Sequence, residues 1–167
     1  RAELSADGSH YVINGQKMWI TNAGFANMFI VFAQIGGDKF TGFVVERDSP
    51  GLTLGAEEQK LGIKASSTRQ VFFENVKVPA TNVLGEIGKG HLIAFNALNI
   101  GRFKLGLMCM GGSKKAIATS VKYANERKQF GQPIASFGAI KHKLAEQCIR
   151  NFAVESACYR VSDLLDD

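Results

Sequence analysis

The chain has few of the residues that build covalent or metal-bound scaffolds. Its 167 residues include three cysteines, Cys109, Cys148 and Cys158. The number is odd, none lies in a CxxC pair, and all fall in apolar or helical stretches. This argues against a disulfide framework and a zinc site, and buried reduced thiols are predicted. His10, His91 and His142 are far apart and show no ligand spacing, so no metal site is predicted. The nucleophile elbow Gly-x-Ser-x-Gly, the GxxxxGK phosphate loop and the HExxH zinc helix are all missing. Basic residues never gather into a dense run. The nearest approaches are the pairs Lys114-Lys115 and Arg127-Lys128, which argues against nucleic acid as a partner. No apolar run approaches bilayer length and no secretory signal is visible, so no transmembrane segment is expected. The chain starts at Arg1 without methionine and stops in helical pattern at Leu164-Leu165-Asp166-Asp167 without a glycine cap. A piece of a longer protein is the expectation.

What is present is globular. Hydrophobic residues make up 46% and charged residues 21%, enough for a real core. The formal charge of +5, from 20 Lys and Arg against 15 Asp and Glu, is a diffuse excess that suits phosphorylated small molecules.

Two halves differ in period. Up to about Val83 the pattern is strand and turn. Tyr11-Val12-Ile13 and Gln16 to Ile20 flank Asn14-Gly15, the strongest short-range hairpin signal. Asn27 to Ile35 reads as a second strand, which Gly36-Gly37-Asp38 turns into Phe40 to Glu46. Ser49-Pro50-Gly51 is a further turn. Gln70 to Phe73 and Val76 to Val78 read as two more short strands, with Pro79 at an edge or strand end. Short, closely spaced strands predict a small barrel or sandwich. Gly85-Glu86-Ile87-Gly88-Lys89-Gly90 has the wrong glycine spacing for a dinucleotide loop and reads as an interdomain linker. Beyond it the period is helical, with one helix to about Ala124 and another from about Phe137 to the end. Glycines at 101, 106, 111 and 112 suggest close approach of another backbone or a ligand. The predicted fold class is α+β: a β-barrel or sandwich domain over 1–86, then long antiparallel helices of an incomplete bundle over 87–167.

Three clusters have chemical potential. Gln16 to Asn22 reads Gln-Lys-Met-Trp-Ile-Thr-Asn and holds the only tryptophan. Alternation along a strand would put Trp19 and Thr21 on one face, where an indole can cover a ring system and a hydroxyl can bond its polar edge. A half-buried strand with an aromatic in the core has the same pattern. In Glu126-Arg127-Lys128-Gln129-Phe130-Gly131, the Arg127 guanidinium suits a pyrophosphate and Phe130 can pack on a flat ring. A charged helix end with Phe130 as a core plug fits equally. In Leu98-Asn99-Ile100-Gly101-Arg102, a cation in an apolar run needs a carboxylate or a ligand for its charge.

These stretches occur in a telling order. The Asn-Gly turn is followed by Met-Trp-Ile-Thr-Asn, Phe-Thr-Gly-Phe-Val-Val-Glu-Arg, Lys-Leu-Gly-Ile-Lys-Ala-Ser, Val-Pro with Val-Leu-Gly, Gly-Arg, and Arg-Lys-Gln-Phe-Gly. Over nearly the whole chain this resembles the acyl-CoA dehydrogenase family, its middle β-domain and the start of its C-terminal helical domain. Gly62 to Ser66 and Asn99 to Phe103 are most similar to the very-long-chain branch. The resemblance implies FAD as cofactor and a long-chain fatty acyl-CoA substrate, oxidised to a trans-2-enoyl-CoA in fatty acid β-oxidation. Trp19, Ile20 and Thr21 would line the flavin, with the Thr21 hydroxyl near its reactive ring nitrogen. Arg127, Gln129 and Phe130 would hold the phosphates and adenosine side across a subunit interface. Phe137 and Gly138 match a further FAD-contacting pair, with Gly138 standing where many relatives have glutamine. Asn99 and Arg102 match positions that hold coenzyme A. The residue before Arg102, a glutamate base in some branches, is Gly101 here. No catalytic residue is therefore assigned, and the base is expected beyond Asp167. The resemblance also implies electron-transfer flavoprotein as acceptor, a homodimer or homotetramer, and the bacterial cytoplasm or the mitochondrial matrix. The alternative readings are an acyl-CoA oxidase-like flavoenzyme and a non-catalytic family member acting as an assembly or interaction protein.

Overall fold

A computed structural model describes Arg1–Asp166. The chain divides into two compact units, Arg1–Asn96 and Ala97–Asp167.

The first unit is one seven-stranded sheet in the order β5-β6-β2-β1-β3-β4-β7. Its strands are β1 (Ala2–Leu4), β2 (His10–Thr21), β3 (Met28–Ile35), β4 (Lys39–Glu46), β5 (Leu52–Glu57), β6 (Thr68–Pro79) and β7 (Val83–Leu84). All pairings are antiparallel except a single parallel bridge between β1 and β3. Buried residues alternate along the strands, as in Phe29 and Val31 on β3 and Phe43 and Val45 on β4, because successive side chains leave a strand on opposite faces. β2 and β4 are separated by β1 and β3, which in a flat sheet would place them ~14 Å apart. Yet the rings of Tyr11 and Phe43 meet edge-on with centroids 5.2 Å apart. The sheet therefore curls over its own apolar face, in the manner of the predicted barrel.

Asn14-Gly15 does not make a hairpin. β2 runs straight through it, paired with β6 from His10↔Pro79 to Thr21↔Thr68. The Asn14 amide is spent across the sheet: its Oδ1 accepts from the Asn75 N–H at 2.7 Å and its Nδ2 donates to the Asn75 Oδ1 at 3.1 Å. The two short strands read at Gln70 to Phe73 and Val76 to Val78 are likewise one strand, β6. One extra residue near Asn75, whose φ is +52°, shifts the buried positions from Val71 and Phe73 to Val76 and Val78. Such a bulge breaks the period-2 pattern that a sequence reading follows. β1 and β5 lie outside the predicted strands.

Gly85 to Gly90 is packed against β4 instead of forming a free linker. The Gly88 N–H donates to the buried Thr41 Oγ1 at 3.0 Å. A Cβ on Gly90 would stand 3.0 Å from both the Gly42 nitrogen and the Phe40 carbonyl oxygen, so only glycine fits where helix α1 (Gly90–Glu126) starts.

The second unit is formed by the rest of α1 and by α2 (Gly138–Asp166), joined by the ribbon β8 (Lys128–Gln129) and β9 (Gln132–Pro133). A Cβ on Gly106 would stand 4.0 Å from the Cys158 Sγ, and Lys114 forms an ion pair with Glu155. These contacts put the two helices antiparallel. The Glu155 carboxylate bond raises the Lys114 pKa.

Two expectations are corrected here. Cys109 and Cys148 are exposed and Cys158 is half-buried, because two packed helices shield only the facing stripe of each. Arg102 is exposed as well, so its charge does not demand a buried partner. By length and composition α1 is long and apolar enough to cross a membrane, since only Arg102 and Lys104 are charged between Gly90 and Ser113. One such helix is weak evidence of a span, because a helix covered by others inside a protein has the same composition.

Candidate functional site

The Trp19 segment owes its shape to a second bulge. Lys17 pairs with Val71 and Ile20 with Arg69, so β2 carries one more residue here than β6. Trp19 absorbs it with φ +54°. The left-handed region costs an L-residue of this bulk roughly 1–2 kcal/mol, so the bulge position would suit glycine better. Trp19 is nonetheless 68% exposed, which excludes the reading of a core aromatic. Trp19 and Thr21 are both exposed on either side of Ile20, the pattern that strand alternation gives. Ile20 packs against the core.

The backbone after Thr21 is clamped from two sides. The Arg47 guanidinium donates to the carbonyls of Ala23 at 3.1 Å, Ala26 at 3.0 Å and Gly24 at 3.3 Å. The Asn22 N–H donates to the Ser67 carbonyl at 2.9 Å, and the Gly24 N–H to the Ser67 Oγ at 2.9 Å. Sequence reasoning missed Arg47 and Ser67 as supports. Arg47 ends the Phe-Thr-Gly-Phe-Val-Val-Glu-Arg stretch, but nothing in the spacing of either residue announces the contact.

In the second unit the Arg127 cluster surrounds a two-residue hairpin. Gln129 pairs with Gln132, and the turn residues Phe130 and Gly131 have φ of +52° and +80°, as a type I′ turn requires. Phenylalanine is strained at the first of these positions, and its ring is 91% exposed. A core plug is thereby excluded. It meets the ring of Phe137 edge-on, with centroids 6.1 Å apart. The Arg127 carbonyl accepts the Ile134 N–H at 2.8 Å, which closes the ribbon under the exposed Arg127 and Gln129 side chains. Gly138, also exposed, opens α2.

Asn99 and Arg102 lie one turn apart on α1, both exposed, with the Arg102 Nη1 donating to the Asn99 Oδ1 at 3.5 Å. They line one side of a groove of about 460 Å³ with an apolar opposite wall from Val154, Ala157 and Val161 of α2. A polar pair at one edge of an apolar groove suits a ligand with one charged and one apolar part. The structure thus groups Trp19 to Thr21 in the first unit. In the second it groups Arg127, Gln129, Phe130, Phe137 and Gly138 around the hairpin, and Asn99 with Arg102 on the groove.

Comparison with known proteins assigns both units. The acyl-CoA dehydrogenase middle domain family model matches residues 1–76, and the acyl-CoA dehydrogenase C-terminal domain model matches residues 88–167. A probable acyl-CoA dehydrogenase of Bacillus subtilis is 50% identical over 99% of this chain and 28% of its own length. The very long-chain specific acyl-CoA dehydrogenase of Rattus norvegicus mitochondria is 45% identical over 95% of this chain and 26% of its own. The crystal structure of an acyl-CoA dehydrogenase from Bacillus anthracis complexed with FAD is 54% identical, with a TM-score of 0.89 over 95% of this chain and 27% of that one. The chain spans about a quarter of the length of these three relatives.

Proposed function

The chain belongs to the acyl-CoA dehydrogenase family, and from that membership we propose that it forms part of an FAD-dependent enzyme oxidising long-chain fatty acyl-CoA to the trans-2-enoyl-CoA. The observation that carries this reading is Trp19, a bulky aromatic exposed in a strained conformation two residues from an exposed hydroxyl. Strain of this kind persists where the surrounding structure enforces it and marks a candidate site.

The residues present suit FAD. The Trp19 indole offers a flat apolar cover and the Thr21 hydroxyl a hydrogen bond for the ring system. The Arg127 fork, with Gln129, suits a pyrophosphate, and Phe130, with Phe137 and Gly138 beside it, offers a second aromatic surface. When bound, FAD supplies a hydride acceptor. Asn99 and Arg102 would hold the coenzyme A end of the substrate, since a guanidinium matches phosphate charge. Proton removal is not assigned to this chain, because Gly101 has no side chain to perform it. The base is proposed to come from outside these residues.

The long-chain preference rests on the 45% identity to the rat very long-chain enzyme. Electron-transfer flavoprotein as acceptor, a homo-oligomeric assembly, and the bacterial cytoplasm or mitochondrial matrix follow from family membership and belong to the same proposal.

The test is an anaerobic visible spectrum of the protein carrying this chain, before and after palmitoyl-CoA. A yellow protein that bleaches on addition is the expected result. A colourless protein that FAD cannot reconstitute would overturn the reading of Trp19, Thr21 and Arg127.

A further inference from the structure

Glu57 is the last residue of β5, at the end of the sheet where Thr21 lies. Both neighbours of β6 bulge at the same level. β2 carries its extra residue between Lys17 and Ile20, opposite Val71 and Arg69. β5 carries one between Leu54 and Glu57, opposite the same two residues. Past the bulges, Arg69 faces Ile20 on one side and Glu57 on the other, while Thr68 pairs with Thr21. A slip in either bulge would move Thr21, because pairing register sets where every later side chain points.

The Glu57 carboxylate holds that level together. Its Oε1 accepts the Ser67 hydroxyl at 2.6 Å and the Arg69 Nε–H at 2.8 Å, and its Oε2 accepts the Thr68 N–H at 2.9 Å. Ser67 then passes the constraint on, through its carbonyl to the Asn22 N–H and its Oγ to the Gly24 N–H. Gly24 lies so close that a Cβ there would collide with the Ser67 Oγ and stand 2.8 Å from the Glu57 Oε1. Lys60 adds a cation from the adjoining loop, its Nζ donating to the Thr68 Oγ1 at 2.9 Å. The Glu57 side chain remains 44% exposed, and an ion pair that wet adds little to global stability. What three convergent bonds do provide is placement.

We propose that Glu57 is a positioning residue for the Trp19–Thr21 segment, acting through Ser67, Thr68 and Arg69 to fix the register of Thr21 and the loop behind it. Its consequence for cofactor binding rests on the reading of Trp19 and Thr21 as flavin contacts.

The experiment compares wild type, Glu57→Ala and Glu57→Gln in the FAD-loaded and FAD-stripped protein, by hydrogen exchange over residues 20–26 and by FAD affinity. Glutamine retains an acceptor for Ser67 or Thr68 but loses the charge facing Arg69. Asp7→Ala serves as control. Asp7 also accepts several bonds, from Ser5 and Ser9, but it sits beyond the opposite end of the 12-residue β2. Glu57→Ala is expected to speed exchange at the Asn22 and Gly24 amides and to weaken FAD binding, each about tenfold. Glu57→Gln should fall in between, and Asp7→Ala should change neither. Unchanged exchange over 20–26 would overturn the proposal, as would loosened amides with unchanged FAD affinity. If the amides loosen but no variant, wild type included, binds FAD, the positioning role stands and the flavin reading fails. If Glu57→Ala does not fold, Glu57→Gln against Asp7→Ala decides by the same two readouts.

Discussion

Replacing Phe130 with asparagine separates a ring kept for a ligand from a ring kept for the fold. Phe130 occupies the first central position of the β8–β9 turn with φ +52°. Asparagine tolerates that conformation, so the substitution releases about 1 kcal/mol of left-handed strain. Against this stands the little that the ring does for stability. It is 91% exposed, so of the ~200 Å² an aromatic can bury it hides about 20 Å², worth ~0.5 kcal/mol. The edge-on contact with Phe137 adds roughly 0.5–1.5 kcal/mol. Gain and loss nearly cancel, and Phe130→Asn should unfold within about 1 kcal/mol of wild type in urea. FAD binding should suffer separately, by about tenfold for the loss of one aromatic surface of ~1.4 kcal/mol. Urea melts of the FAD-stripped protein and a flavin fluorescence titration measure the two effects independently. A stability loss above ~3 kcal/mol, the size of an emptied core site, would refute the reasoning and make Phe130 a packing residue. Unchanged FAD affinity with unchanged stability would leave the strained ring without the role assigned to it.

Three further outcomes follow from the fold. Gly51 has φ +89°, and a Cβ there would collide with the Glu74 carbonyl oxygen; Gly51→Ala should lower stability by more than ~2 kcal/mol, read from the thermal midpoint. Phe43 is fully buried against Tyr11, so Phe43→Ala should cost ~3–5 kcal/mol in urea unfolding. Glu57 titrates at about 2 instead of 4.5, chiefly because the Ser67 hydroxyl, and then Arg69 and the Thr68 N–H, bond its charged form. Asp7 is held well below the usual carboxylate range by Ser5 and Ser9. Both folded-state values are depressed, so their stabilisation is fully present above pH 4.5 and is lost as pH falls toward 2, since the unfolded chain binds the proton first. Urea midpoints measured across that window should drop less steeply for Glu57→Gln than for wild type.

The local character of most elements was legible. The strand over Met28–Ile35, the turn into Lys39–Glu46 and the start of α2 near Phe137 lie where periodicity and turn residues put them. The candidate site was legible as a set of residue types in order, with Trp19, Thr21, Arg127 and Phe130 each named from sequence. Their conformations were not. Asn14-Gly15 has the preferred hairpin sequence yet lies inside a strand, while Phe130-Gly131, with a poor turn former in first place, makes the type I′ turn. The reason is range. Turn and strand preferences describe a residue and its near neighbours, whereas Asn14 is held by Asn75, 61 positions away. Propensities worth tenths of a kcal/mol yield to such pairing across twelve residues of sheet.

The sequence by itself determined the composition class, the change from β to helical period near Gly85, and the order of motifs that identifies the family. Only the tertiary structure decided that β2 and β6 each continue through a bulge, that Trp19 and Phe130 are exposed and strained, and that Glu57 reaches Ser67, Thr68 and Arg69. These depend on which strands become neighbours and in what register. That choice is made by burial of the shared apolar face of the curled sheet, and no single segment carries it alone.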